Sequence, residues 1–159
     1  ETGISLGVAA SVVVFFYRSS RPHMAIVGRV PGTEHFRNID RHDVWTDAHI
    51  LALRVDESLY FANARYLEER IANEISGKPE VTEVILMCPA INAIDMSALE
   101  SLEAINIRLK EQGIGLNLSE VKGPVMDRLK RTDFLDHLNG RVFLSHHDAV
   151  AALSANPAP

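Results

Sequence analysis

Between Val84 and Cys88 the chain runs Val-Ile-Leu-Met-Cys without a polar break. A strand of that composition has no face to give to water, so it needs cover on both sides. Sheets covered on both sides are built mostly from parallel strands joined by helices. The residues after it fit such a unit: Ala98, Leu102, Ile105 and Leu109 recur at helical spacing, one apolar stripe on a helix of about four turns. Between strand and helix lies Asn92-Ala93-Ile94-Asp95-Met96-Ser97. A turn that leaves the C-terminal end of a central strand and enters a helix N-terminus is where open α/β sheets place ligands and switches. Asp95, Met96, Ser97 and Ala98 are therefore the candidate regulatory turn. A purely structural reading stands beside it, because Ser97 with Glu100 three residues on spells a capping box.

The rest of the chain supplies the partners this strand needs. Met24–Val30 reads as a strand ended by Pro31-Gly32, and 33–47 as a polar loop with at most a turn of helix. Ile50–Val55 and Leu59–Ala62 read as two short strands joined by a tight hairpin at Asp56-Glu57-Ser58. Asn63 is expected to cap a helix with Ala64, Leu67, Ile71 and Ile75 inside, closed by Gly77-Lys78-Pro79. Ile114, Leu116 and Leu118 alternate with Gly115, Asn117 and Ser119, a strand with one polar face. Gly123-Pro124 opens a third helix with Val125, Leu129, Phe134 and Leu138 on its inner side. Asn139-Gly140 is a turn, Val142–Leu144 a last short strand, Ser145 the cap of a final helix to Leu153, and 156–159 a fraying tail. An antiparallel start followed by alternating strands and helices gives an α/β fold with a mixed sheet flanked by helices.

At 159 residues and 47% apolar content the chain has material for one well-packed domain. A net charge of −5 without any basic cluster argues against a nucleic-acid partner. The single cysteine, Cys88, excludes an internal disulfide and a thiolate metal cage, and its apolar setting reads as structural. His35, His42 and His49 recur at sevens, but without matching apolar positions they read as solvated loop histidines rather than metal ligands. Ser145-His146-His147-Asp148 carries the letters of a catalytic triad. Four neighbours in sequence cannot meet side chain to side chain, so the stretch reads as a helix cap. With no glycine-rich phosphate loop and no nucleophile–base pair, the expectation is a protein that is not an enzyme and uses no cofactor.

Gly3–Tyr17 carries no charge. It is shorter than the roughly 20 residues of a full membrane span. Phe15, Phe16 and Tyr17 followed by Arg18 and Arg21 have the form of the cytoplasmic end of a transmembrane helix, and Gly3, Gly7 and Ser11 give it a small-residue stripe. The expectation is the end of a membrane helix, with Ser19-Ser20-Arg21-Pro22 as its exit linker.

The Asp95-Met96-Ser97-Ala98-Leu99 turn after an apolar strand resembles the Asp-Ser-Ser-Gly turn of STAS domains, the fold of the anti-sigma factor antagonists. Three further segments resemble the C-terminal part of sulfate permease (SulP) family anion transporters: Gly3–Pro22, Met24–Phe36 (MAIVGRVPGTEHF) and Arg54–Leu67 (RVDESLYFANARYL). The resemblance implies a division into the end of the last transmembrane helix and its linker (1–22), a STAS domain (23–154) and a tail (155–159). It implies a regulatory and assembly domain of a secondary transporter of sulfate, bicarbonate or a related anion. That domain would lie on the cytoplasmic side of the inner (plasma) membrane, coupled to the membrane bundle of its own transporter in a homodimer. Nucleotide or acyl carrier protein are further partners the resemblance brings, without site residues. The alternative is a stand-alone antagonist-like phospho-switch. In antagonists the serine directly after the Asp is phosphorylated; here that position is Met96, and the family's glycine is Ala98.

Overall fold

The computed structural model describes residues 2–155; the expected tail at 156–159 lies outside the described residues. Strands β1 (Met24–Arg29), β2 (Phe36–Asn38), β3 (Ile50–Val55), β4 (Glu83–Met87), β5 (Gly115–Ser119) and β6 (Val142–Phe143) form one sheet in the order β2-β1-β3-β4-β5-β6. β1 is antiparallel to both neighbours, and β3 through β6 are parallel. The helices are α1 (Thr2–Ser19), α2 (Phe61–Ser76), α3 (Met96–Glu111), α4 (Gly123–Lys130), α5 (Phe134–His137) and α6 (His146–Leu153).

β4 lies between β3 and β5, and both its faces are covered. Val84, Leu86 and Cys88 join Leu67, Leu102, Leu129 and Phe134 in a core built with α2 to α5. Ile85 points the other way, into a smaller core with Val27, Phe36, Ala149 and Val150 under α6. The mixed sheet flanked by helices is thus as the sequence predicts.

Five local expectations are corrected. Leu59–Ala62 is not a strand and closes no hairpin with β3. Leu59 makes one isolated parallel bridge to Ile94, and α2 starts at Phe61. The cause is Asn63, which is not the cap but the third helical residue. Its Oδ1 accepts from the Tyr60 amide at 3.0 Å and its Nδ2 donates to Ser58 O at 2.8 Å, winding the segment into a helix start. The third strand comes instead from the expected loop: β2 pairs its Phe36, Arg37 and Asn38 with Arg29, Gly28 and Val27, burying Phe36. The third helix is broken between α4 and α5. There the Thr132 hydroxyl donates to Leu129 O at 2.9 Å and accepts from the Phe134 amide at 3.4 Å, satisfying backbone groups a continuous helix would have paired. Finally, α3 begins at Met96 with Asp95 as its cap, so Ser97 caps nothing.

The polar face of β5 is present but buried. Asn117 and Ser119 are 1% and 0% exposed. Asn117 Nδ2 donates to Glu83 Oε2 at 2.7 Å, and its Oδ1 accepts from the Arg141 amide at 2.8 Å. Ser119 Oγ lies 2.8 Å from His146 Nδ1. Ser145 caps α6 as expected, its hydroxyl accepting from the Asp148 amide at 3.0 Å.

His146 is 1% exposed, stacks edge-on against Phe36 and has no hydrogen-bond partner at Nε2 among the described residues. Burial pushes its pKa down to about 4. The folded state therefore holds it neutral, while the unfolded chain takes up a proton below the ordinary histidine pKa. Stability is complete above about pH 6.5 and is lost progressively towards pH 4, by about 2 kcal/mol at pH 5. Urea titrations at pH 7 and pH 5 should show that loss, and His146→Gln should flatten it. An equal loss in the variant would place the sensitivity elsewhere.

Candidate functional site

The C-terminal ends of β4 and β5 open onto two loops, 88–95 and 120–122. They are clasped to each other by Lys122 Nζ, which donates to Asn92 Oδ1 at 2.6 Å. Cys88 sits beneath them, fully covered, with its amide bonded to Ser119 O at 2.9 Å. Burial, with the Glu120 carboxylate adding to it, pushes the thiol up to about 12, so this cysteine is a packed apolar group and not a nucleophile. Glu120 itself takes φ 55, in the left-handed region that a residue with a Cβ adopts only where its surroundings impose it.

Asp95 is the centre of the turn. Its Oδ1 accepts from the Ala98 amide at 2.8 Å, capping α3, while its Oδ2 accepts from the Phe61 amide at 3.0 Å, in the first turn of α2. One carboxylate thus neutralises the positive ends of two helices. Ser58 adds a second tie between the same segments, its Oγ accepting from the amides of Asn92 and Ala93 at 3.1 Å each. Of the other candidate residues, Met96 is 51% exposed, Ser97 is exposed on the first turn of α3, and Ala98 is fully buried in the main core. Asp95, Met96 and Ser97 therefore form an accessible edge, and Ala98 anchors it.

The start of α2 also reaches α1. Tyr60 Oη donates to Ser19 O at 3.1 Å and lies 2.8 Å from Ser19 Oγ. Next to it the Arg21 guanidinium rests over the rings of Tyr17 and Tyr66, 4.8 and 6.0 Å from their centres. Below the linker, Asp56 binds Arg54 through both carboxylate oxygens, at 2.6 and 3.1 Å, and accepts from His23 Nδ1 at 2.6 Å. Burial raises the Asp56 pKa, but the Arg54 and His23 bonds outweigh it and hold the group below the usual carboxylate range. None of the Tyr60, Asp56 and Phe61 contacts was legible in the sequence beyond the family-like Arg54–Leu67 stretch that contains these residues.

α1 has no buried residue; its apolar side chains, from Ile4 to Tyr17, face outward along its whole length. Its 18 residues have a mean hydropathy of 1.4, long and apolar enough to cross a membrane. Among the described residues no three His, Cys, Asp or Glu side chains stand together as a metal site. His35 and His42 are exposed, and His49 Nδ1 lies 3.0 Å from Glu80 O.

Residues 42–149 match the family described as STAS domain. β1 and β2 lie outside the matched range, although they are hydrogen-bonded into the same sheet. The chain is 34% identical to Sulfate transporter 3.1 of Arabidopsis thaliana, over 97% of this chain and 25% of that relative. It therefore spans about a quarter of the length of the transporters it matches. The murine Solute Carrier 26 family member A9 anion transporter, in its inward-facing state, superposes with a TM-score of 0.78 at 20% identity. That likeness covers 98% of this chain and 26% of the other. The STAS domain of a SulP transporter from Vibrio cholerae superposes with a TM-score of 0.56 at 18% identity, over 71% of this chain and 87% of that one.

Proposed function

The chain belongs to the STAS domain family, and from that premise we propose that it is the cytoplasmic regulatory and assembly domain of a SulP-type secondary transporter of sulfate, bicarbonate or a related anion. In this reading residues 1–22 are the end of the last membrane helix with its linker, and residues 23–154 are the domain. The observation that carries the proposal is α1, an apolar helix exposed on every side, hydrogen-bonded at its last residue to Tyr60, the residue just before α2 of a STAS fold. Arg18 in its last turn and Arg21 just beyond it favour the cytoplasmic side for the domain attached there.

The mechanism is mechanical. Asp95 joins the turn to the start of α2, and Tyr60, one residue before α2, joins it to the end of α1. A ligand or protein pressing on the exposed edge at Met96 and Ser97 displaces the Asp95 carboxylate, and with it the helix start that holds Ser19. Homodimerisation of the transporter and contact with its own membrane bundle belong to the same proposal.

The test is uptake by the full-length protein in proteoliposomes. Labelled sulfate or bicarbonate should accumulate, and deletion of residues 23–154 should reduce the rate severalfold. Absence of flux for every small anion tried would defeat the proposal. The stand-alone phospho-switch is disfavoured by Met96 at the antagonists' phosphorylation position and by α1. Phosphate incorporation at Ser97 by a partner kinase, lost in Ser97→Ala, would favour it.

A further inference from the structure

The C-terminal half of α1 and the domain do not close on each other. They leave a cleft of about 1050 Å³ whose walls include Val14, Phe15, Arg18, Arg21 and Tyr66. The α1 wall is apolar, with Val14 55% and Phe15 66% exposed. At its polar end, neither Arg18 nor Arg21 has a carboxylate partner among the described residues, in a chain whose net charge is −5. Arg21 is held over two tyrosine rings, which fixes the plane of its guanidinium while leaving its N–H groups to a ligand.

An apolar groove ending in two uncompensated guanidinium groups has the polarity of an amphiphile with a negative head. We propose that this cleft seats an anionic phospholipid, its phosphate held by Arg18 and Arg21 beside Tyr66 and an acyl chain lying along Val14 and Phe15. The planar guanidinium fork matches a phosphate oxygen pair, and the two arginines stand where an α1 that spans the bilayer meets the headgroup layer. Glu57, also on the cleft wall, supplies negative charge to the domain side and keeps the headgroup on the arginine side. The lipid then wedges the membrane helix against α2 at the joint through which the domain acts. The site rests on the reading of α1 as a membrane helix.

The test is native mass spectrometry of the full chain released from nanodiscs of equal phosphatidylglycerol and phosphatidylcholine. The wild type should retain phosphatidylglycerol about tenfold over phosphatidylcholine. Arg18→Gln with Arg21→Gln should bring the ratio close to one, and Tyr66→Ala, which leaves both charges on the helix, should lower it severalfold. A wild-type ratio near one overturns the proposal. Full preference in Tyr66→Ala also overturns it, since charge on a bare helix would then suffice, and so does loss of the preference on adding millimolar inorganic phosphate. Retention of neither lipid would sink the membrane reading of α1 together with this site, whereas retention without headgroup preference sinks this site alone.

Discussion

Gly140→Ala is expected to lower the melting temperature by about 6–12 °C or to prevent folding outright. A Cβ at this position would lie 2.1 Å from Leu116 O and 2.6 Å from Asn117 Oδ1. Neither atom can retreat. Leu116 is paired to Val84 in the middle of the parallel sheet, and Asn117 is buried with its amide committed to Glu83. The loop cannot retreat either, because Asn139 acts as one more strand residue through its side chain. Its Oδ1 accepts from the Leu116 amide at 2.7 Å and its Nδ2 donates to Ile114 O at 2.8 Å. The close approach is thus fixed from both sides, and overpacking of this kind costs about 3 kcal/mol. Gly123→Ala is the control: a methyl group added there would meet nothing within 4 Å, and thermal melts of that variant should match the wild type. An unchanged melt for Gly140→Ala would mean that 139–141 is not held against β5.

That loop also shows where sequence reading stops. Asn139-Gly140 reads as an ordinary turn, and the polar residues of β5 read as a polar face, because periodicity separates apolar from polar side chains and says nothing of which polar ones are buried. Asn106, Asn117, Ser119 and His146 are all buried, each bonded to a partner far away in sequence. Long-range pairing of that sort leaves no local signal. The apolar run of β4 is legible because burial on both faces is written in its own composition. β2 is missed because three residues at a sheet edge, with only Phe36 buried, carry too short a pattern. Leu59–Ala62 misleads for the opposite reason: its aromatic and apolar letters suit a strand, and the helix start depends on Asn63 reaching backward. The candidate turn is found from its place after β4. The division of labour within it is not, since a serine three residues before a glutamate outranks an aspartate in a capping rule that ignores the second helix.

Asp95 carries the largest functional expectation. Asp95→Ala removes the cap of α3 and the acceptor for the Phe61 amide together, so it should cost about 2–3 kcal/mol and lower the melting temperature by about 4–12 °C. Ser97→Ala, whose side chain caps nothing, should leave the melt unchanged. Asp95→Asn separates the cap of α3 from the tie to α2. Asparagine is as good a cap as aspartate, so α3 keeps its bond to Ala98, while the amide nitrogen that replaces Oδ2 cannot accept from Phe61. In the transporter proposed above, Asp95→Asn should therefore reduce uptake severalfold, while lowering the melting temperature by less than Asp95→Ala does, since only the Phe61 bond and not the α3 cap is lost. Tyr60→Phe, which deletes the hydroxyl bonded to Ser19, should reduce uptake similarly. If the two residues act along one path from the turn to α1, the double variant should lose little more than either single one. Independent, multiplying losses would mean that the turn and the tyrosine act separately, and uptake in Asp95→Asn equal to the wild type would reduce the carboxylate to a helix cap.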